Sequence, residues 1–493
     1  MTSSYGVDKL RLKFPGGESL LFKDLSLCFR KGEKVLMLGP SGCGKSTLLQ
    51  VMAGIIPNSI EVPMKAESIN VPESWAYVFQ DPESQFCMPF VDEEIAFVLE
   101  NLQVPQPEMK ERIEQLLATV NLRLENLHTN IQHLSGGMKQ RLAIASVLAL
   151  DPEVLFLDEP TAMLDPEGTK QVWQTLKDVS KDKTVIIVEH KIDEVIDFVD
   201  RIILFNSNGQ IIADGKKEDV FANNKAELIS GGIWYPDVWN EYINSKQKSY
   251  QQEIHFNEQS DLLKLDDFKG YRGKEIKIAV SSTSVKPGEW ITVIGENGAG
   301  KSTFLHALMQ LIKTSGTYEF AEKVVSKRTK LTEEMSFVFQ NPEYQFVTNT
   351  VYDEVAFTLR IDQVPEKVIK PRVEKILRQF QLTAFAENHP YQLSIGQKRR
   401  LSVATAIVKN QKVLLLDEPT FGQDAKNTFE ILEHLQLLQE NGTSIIMVTH
   451  DLHIVEHFAT RVWQIEQGIL TEDYEVRKRE RPASLEGSEL YVR

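Results

Sequence analysis

Short apolar runs of four or five residues alternate along this chain with longer stretches whose apolar positions recur at helical spacing. Lys34 to Leu38 and Val154 to Leu157 read as strands, and Met138 to Leu150 carries a helical period directly after Gly136-Gly137. Apolar strands separated by helices predict an α/β fold on a largely parallel sheet.

The pattern occurs twice. Gly39-Pro40-Ser41-Gly42-Cys43-Gly44-Lys45-Ser46-Thr47 recurs as Gly295-Glu296-Asn297-Gly298-Ala299-Gly300-Lys301-Ser302-Thr303, displaced by 256 residues. Phe79-Gln80 returns as Phe339-Gln340 and His190 as His450, both displaced by 260. Leu134-Ser135 returns as Leu393-Ser394, and Asp158-Glu159-Pro160 as Asp417-Glu418-Pro419, both displaced by 259. Two tandem copies of one domain therefore fill the chain. The expected boundaries are 1–235 and 261–475, with a linker at 236–260 and a polar tail at 476–493. Gly232 to Leu262 is polar and without motif; about 30 residues of flexible coil span on the order of 30 Å. Arg477 to Arg481 read as part of a solvated end rather than a basic docking patch.

Composition narrows the field. At 493 residues, 42% hydrophobic and 25% charged, the chain has the make-up of a multidomain globular protein. A net charge of −15 repels polyanions and argues against nucleic-acid binding. Cys28, Cys43 and Cys87 show no C-x-x-C spacing, which disfavours a disulfide framework or a zinc site and fits a reducing compartment. Met1 to Leu10 has no apolar stretch, and the run Leu142 to Leu150 is half a membrane span, so any membrane is expected to come from another subunit.

Both glycine-rich segments fit G-x-x-x-x-G-K-[ST], each after an apolar strand, Val35 to Leu38 and Ile291 to Ile294. Glycines let successive N–H groups turn inward around phosphates, Lys45 or Lys301 meets the outer phosphates, and Ser46 or Ser302 is placed for Mg²⁺. One chance match in a chain this long has odds of about a few per cent, and two in register have almost none. Val154 to Leu157 and Val413 to Leu416 end abruptly in Asp158-Glu159 and Asp417-Glu418. Adjacent carboxylates repel, so they need a cation or a chemical role. Asp158 and Asp417 suit a Mg²⁺ shell, and Glu159 and Glu418 suit polarising the attacking water. A histidine, His190 or His450, follows each later apolar strand.

This set resembles the ATP-binding cassette ATPases. Leu134-Ser135-Gly136-Gly137-Met138-Lys139-Gln140-Arg141 looks like the signature sequence separating that family from other P-loop proteins. The resemblance covers nearly all of both halves. It implies two ABC-type P-loop domains, each with a helical signature subdomain, and ATP with Mg²⁺ as ligands. It further implies that Gln80 and Gln340 join the magnesium site and link it to a membrane partner, and that His190 and His450 hold the γ-phosphate. Asp165 and Asp424 would lie in loops crossing between halves. Each nucleotide would lie between one half's phosphate loop and the other's signature, Ser135, Gly136 and Gly137 or Ser394 and Gly396. Phe14 and Tyr271 are candidates to stack on adenine, with core packing as the alternative.

The stretches Gln80-Asp81-Pro82-Glu83-Ser84-Gln85-Phe86 and Gln340-Asn341-Pro342-Glu343-Tyr344-Gln345-Phe346 resemble the ATPases of energy-coupling factor importers. That group docks a transmembrane scaffold subunit here, through acids matched by Asp92, Glu93, Glu94, Asp353 and Glu354, while a separate membrane subunit binds solute. The location implied is the cytoplasmic face of the cell membrane. A fused pair resembles import ATPases for hydroxymethylpyrimidine or thiamine, and some cobalt and other vitamin systems, though no residue here reports the solute. The alternatives are a tandem-cassette ribosome-associated translation factor, disfavoured by the net charge and by a shorter linker with Trp234, Pro236 and Trp239 instead of a charged run, and a sugar-import ATPase.

The copies differ at the signature: Ile395 stands where the family has Gly, and Met138 where it has Gln. The site of the first phosphate loop with Ser394 and Gly396 should therefore differ in rate or affinity, because a side chain at 395 limits backbone approach. Steady-state ATPase assays of Glu159→Gln and Glu418→Gln should leave unequal residual rates; equal rates contradict the asymmetry.

Overall fold

The computed structural model describes residues 4–15, 19–162, 164, 166–246, 260–326, 328–409 and 411–476. Asp165, most of the expected linker and the tail with Arg477 to Arg481 lie outside them, as does the side chain of Ile395. The chain forms two compact units, residues 1–242 with 422–429, and residues 243–421 with 430–493.

The first unit is built on a six-stranded sheet. Across it lie Ile211–Lys216, Arg201–Phe205, Lys34–Leu38, Thr184–Val188, Val154–Asp158 and Trp75–Val78. All neighbours pair parallel except Ile211–Lys216, which runs antiparallel at the edge. Val154–Asp158 and Thr184–Val188 are buried at every position, because a parallel strand in mid-sheet is covered on both faces. A second, antiparallel sheet pairs Ser4–Leu12 with Phe22–Arg30 and with the short strands Met64–Lys65 and Ser68–Asn70. Phe22–Arg30 alternates buried and exposed residues along most of its length, as a one-sided strand must.

Helices Val91–Asn101, Gln106–Thr119 and Gly136–Leu148 pack on one another as a helical subdomain. Gly136–Leu148 buries Leu142 through Val147 without a break, so this helix has no polar face over its C-terminal half. Val238–Lys246, inside the stretch expected to be linker, is helical. Its anchors are aromatic. Tyr242 stacks on Phe429 with ring centroids 3.9 Å apart, Trp239 meets the same ring edge-on at 4.9 Å, and Trp234 Nε1 donates to Gln423 O at 3.0 Å. That cluster draws residues 422–429 into the first unit.

The second unit repeats the arrangement. Met335–Val338, Val413–Asp417, Ser444–Val448, Trp290–Ile294 and Arg461–Glu466 run parallel, and Ile469–Glu475 closes antiparallel. A parallel bridge at Ala279 and Ile469 joins the antiparallel strands Glu275–Val285, Leu263–Arg272, Lys313–Phe320 and Lys323–Val324 into one ten-stranded sheet. Even a side-chain clamp is duplicated. Arg201 bridges Asp214 and Glu33 in one copy, and Arg461 bridges Asp473 and Glu289 in the other. No described helix is long and apolar enough to cross a membrane.

Candidate nucleotide sites

Each phosphate loop runs from a central strand into a helix. Lys34–Leu38 leads through Gly39 to Gly44 into Lys45–Met52, and Trp290–Ile294 leads through Gly295 to Gly300 into Lys301–Leu308. Gly44 and Gly300 cap these helices at φ 101° and 107°, where L side chains are strained. A Cβ at Gly44 would also press on the Phe22 ring at 2.8 Å. The loop lysines are buried and held by their own loops. Lys45 Nζ donates to Gly39 O at 2.7 Å and Pro40 O at 3.1 Å, and Lys301 Nζ donates to Gly295 O at 2.7 Å and Glu296 O at 2.8 Å. Cys43 is buried in the first loop, 3.9 Å from Lys45 Nζ.

The carboxylate pairs sit at the C-terminal ends of Val154–Asp158 and Val413–Asp417, where open α/β sheets place their ligands. Ser46 Oγ donates to Asp158 Oδ1 at 2.7 Å, and Ser302 lies beside Asp417, where its hydroxyl favours the ionised carboxylate. Burial pushes Asp158 up against this hydrogen bond, and pushes Asp417 up to about 6. Glu159 and Glu418 each adopt a positive φ, 47° and 50°, an uncommon backbone for a side chain this long. The turn aims each glutamate at its histidine: His190 Nε2 lies 3.0 Å from Glu159 Oε1, and His450 Nε2 lies 3.1 Å from Glu418 Oε1. Burial pushes both glutamates up, but the histidine and the loop lysine outweigh it and leave each below its ordinary value. Burial pulls His190 down, and Glu159 more than restores it.

Gln80 Nε2 donates to Glu159 Oε2 at 2.8 Å, and Gln340 Nε2 to Glu418 Oε2 at 3.4 Å. The segment after each glutamine is tied to the signature helix of its own copy. Gln85 Nε2 donates to Ala143 O at 3.1 Å and Glu83 pairs with Lys139; Gln345 Nε2 donates to Ser402 O at 2.8 Å and Glu343 pairs with Lys398 at 2.6 Å. Each segment is thereby fixed to the helix headed by Ser135 or Ser394. Ser135 Oγ caps its helix through Met138 N at 3.4 Å. Ser394 Oγ accepts from Gln397 N at 3.3 Å while Gln397 Oε1 accepts from Ser394 N at 2.9 Å, a reciprocal capping box that Met138 cannot form.

Other expected residues fall differently. Phe14 is 43% exposed and Tyr271 half-buried, its Oη sharing a hydrogen bond with Ser315 Oγ at 2.9 Å, so neither is core. Asp424 caps the following helix through Asn427 N at 2.8 Å. Two of the five acids expected to meet a scaffold, Glu94 and Glu354, need correction. Glu94 and Glu354 are only 3% and 4% exposed. Glu94 Oε2 accepts from Cys87 N and Met88 N at 2.9 and 2.8 Å, and Glu354 Oε2 from Val347 N and Thr348 N at 3.0 and 2.8 Å. They are internal ties for the preceding loop, and charge reversal there would break that loop rather than report on docking. Asp92 faces His128 and Asp353 faces Arg360.

Glu189 was not singled out in the sequence, since it precedes His190 as one more polar residue after a strand. It is buried, accepts from Thr161 N at 3.2 Å and from the Thr161 hydroxyl, and accepts from His190 N at 3.1 Å, so it ties the loop after Glu159 to the histidine. The second copy has Thr449 in its place, whose Oγ1 accepts from Asp451 N at 3.1 Å.

The profile of a family described as ABC transporter matches residues 22–162 and again 279–421. A Bacillus subtilis (strain 168) protein provisionally named an HMP/thiamine import ATP-binding protein, YkoD, is 37% identical over 490 residues, covering 92% of this chain and 88% of its own. An ABC transporter ATP-binding protein of Methanosarcina mazei, also provisionally named, is 32% identical over 94% of this chain and 87% of its own. Among solved structures, the archaeal ribosome recycling factor aABCE1, in complex with stalk protein aP1, superposes with TM-score 0.62 over 93% of this chain and 88% of its own. At 19% identity that likeness shows the shared fold alone.

Burial pushes the Glu189 carboxyl from 4.5 up to about 7. The folded protein holds this proton to higher pH than the unfolded chain, so its contribution is intact below 4.5 and lost as pH rises through about 7. The loss amounts to about 3 kcal/mol. The thermal midpoint of Glu189→Gln relative to wild type should therefore rise between pH 5 and pH 8; a pH-independent difference contradicts this.

Proposed function

From the premise that the chain belongs to the ABC transporter family, as an ATP-binding ATPase subunit coupled to transport, we propose that it energises an importer of the energy-coupling factor type. In this reading it works at the cytoplasmic face of the membrane, beneath a transmembrane scaffold subunit and a separate solute-binding subunit. The solute proposed is a thiamine precursor such as hydroxymethylpyrimidine, on the likeness to the Bacillus subtilis protein.

The chemistry follows from groups already placed. Loop N–H groups and Lys45 or Lys301 receive the phosphates, the lysine exchanging its carbonyl partners for phosphate oxygens. Glu159 and Glu418, ionised by their histidines, orient the attacking water. Ser46 with Asp158, and Ser302 with Asp417, are hard oxygen donors within reach of one another, and the buried Asp417 Oδ1 has no hydrogen-bond partner, which fits a Mg²⁺ site joined by Gln80 or Gln340. Mg²⁺ bound there supplies charge neutralisation at the β- and γ-phosphates.

The observation that carries the importer reading is the segment after Gln340. It exposes Tyr344 at 76% and Val347 at 63%, while Gln345 and Glu343 anchor it to the signature helix. Phe357 and Ile361, one helical turn apart on Val351–Ile361, add exposed apolar surface. Such apolar surface next to a nucleotide-sensing loop is suited to receive a helix of a partner. The double substitution Tyr344→Asp with Val347→Asp should abolish co-purification with membrane subunits while leaving ATP-analogue binding by the isolated chain intact. Undiminished co-purification would sink the docking proposal.

A further inference from the structure

The two aspartates are supported by different chemistry. In the first copy Tyr77 lies on Trp75–Val78, in register with Phe156 of the next strand, and its Oη donates to Asp158 Oδ2 at 2.9 Å. With Ser46 on Oδ1, both carboxylate oxygens are held. In the second copy the same register position, opposite Leu415, is Phe337. Its ring meets Phe339 at 4.5 Å, as the Tyr77 ring meets Phe79 at 4.5 Å, so the two side chains occupy equivalent places. Phe337 has no hydroxyl to offer, and Asp417 Oδ1 is buried without a hydrogen bond.

A second exchange lies on the signature helix. The first copy has Gln140 where the second has Arg399, and both are buried, at 2% and 4% exposed. Arg399 Nη1 donates to Phe339 O at 2.9 Å, directly before Gln340. A guanidinium taken this far from water needs anions nearby, and Glu418 and Asp417 are the carboxylates acting on it. Burial pulls Arg399 down to about 10, against the opposing pull of these two groups. Gln140 brings no charge.

We propose that Tyr77 and Arg399 are positioning residues that make the two metal sites unequal: a phenol fixes Asp158 for a tight divalent-cation site, whereas a buried guanidinium behind Asp417 and Glu418 makes the second site the weaker. This rests on the reading that Asp158 and Asp417 serve the Mg²⁺ of bound ATP. Two effects act in the same direction. One added positive charge near the carboxylate pair repels a dication, and an aspartate lacking its second hydrogen bond is less firmly aimed. The asymmetry is separate from that of Ile395 and Met138, because it lies within each copy's own strands and helix.

The test uses the full chain loaded with two equivalents of AMPPNP and titrated with Mn²⁺, free Mn²⁺ being read by electron paramagnetic resonance. Two classes of site per chain are expected, with dissociation constants about tenfold apart. Arg399→Gln with Phe337→Tyr, which installs the first copy's residues, should merge the weaker class with the tighter one. Arg399→Lys, which keeps the charge, should leave the weaker class in place. Tyr77→Phe removes a single oxygen atom and should weaken only the tighter class, so the proposal stays testable if the double variant does not fold. Equal classes in the wild type, or constants unmoved by these substitutions, overturn the proposal and leave the Mg²⁺ reading standing. No nucleotide-dependent Mn²⁺ at either site overturns both.

Discussion

Two adjacent buried carboxylates at the end of a parallel strand are the constraint around which each copy is organised. Burying one uncompensated charge costs several kcal/mol, and two neighbouring charges of the same sign cost more. The fold meets that cost with groups gathered around the two carboxylates. His190 and Lys45 keep Glu159 ionised, Ser46 and Tyr77 hold Asp158, and a left-handed backbone at Glu159 turns two consecutive side chains toward different partners. That backbone is itself worth about 1–3 kcal/mol of strain. Its recurrence at Glu418 ties it to the chemistry of the site rather than to local accident.

From this centre short connections run outward. Gln80 and Gln340 donate to the glutamates, and the segments after them are fastened to the signature helices by one glutamine and one ion pair per copy. Glu94 and Glu354 stiffen the same segments from the other side by collecting two backbone N–H groups each. In the proposed reading, a partner seated on the exposed apolar residues would press on a unit whose far end is the glutamate carboxylate, and binding at the surface and chemistry at the strand end would be biased together.

Much of this was legible in the chain. The phosphate loops, the strands ending in Asp158-Glu159 and Asp417-Glu418, and the two histidines announce themselves because each needs a fixed residue type at a fixed spacing. The burial of Glu94 and Glu354 was not legible, because an acid in a helix's first turn looks the same whether it faces water or a loop folding back over it. Tyr77 and Phe337 sit in four-residue apolar strands where an aromatic is expected as core, and only the register shows one hydroxyl meeting Asp158. Arg399 hides in a helix whose buried C-terminal half gives no amphipathic contrast in either copy. The helix Val238–Lys246 escaped notice because its anchor, Phe429, lies 183 residues after Lys246.

The central claim is that the chain carries two complete nucleotide sites, each built on its own carboxylate pair. The number of nucleotides bound per chain tests it most directly. Equilibrium dialysis with a saturating non-hydrolysable ATP analogue and Mg²⁺ should find two per chain, one after Lys45→Ala or Lys301→Ala, and none when both are changed. A wild type that binds one, or a single lysine variant that still binds two, would contradict it.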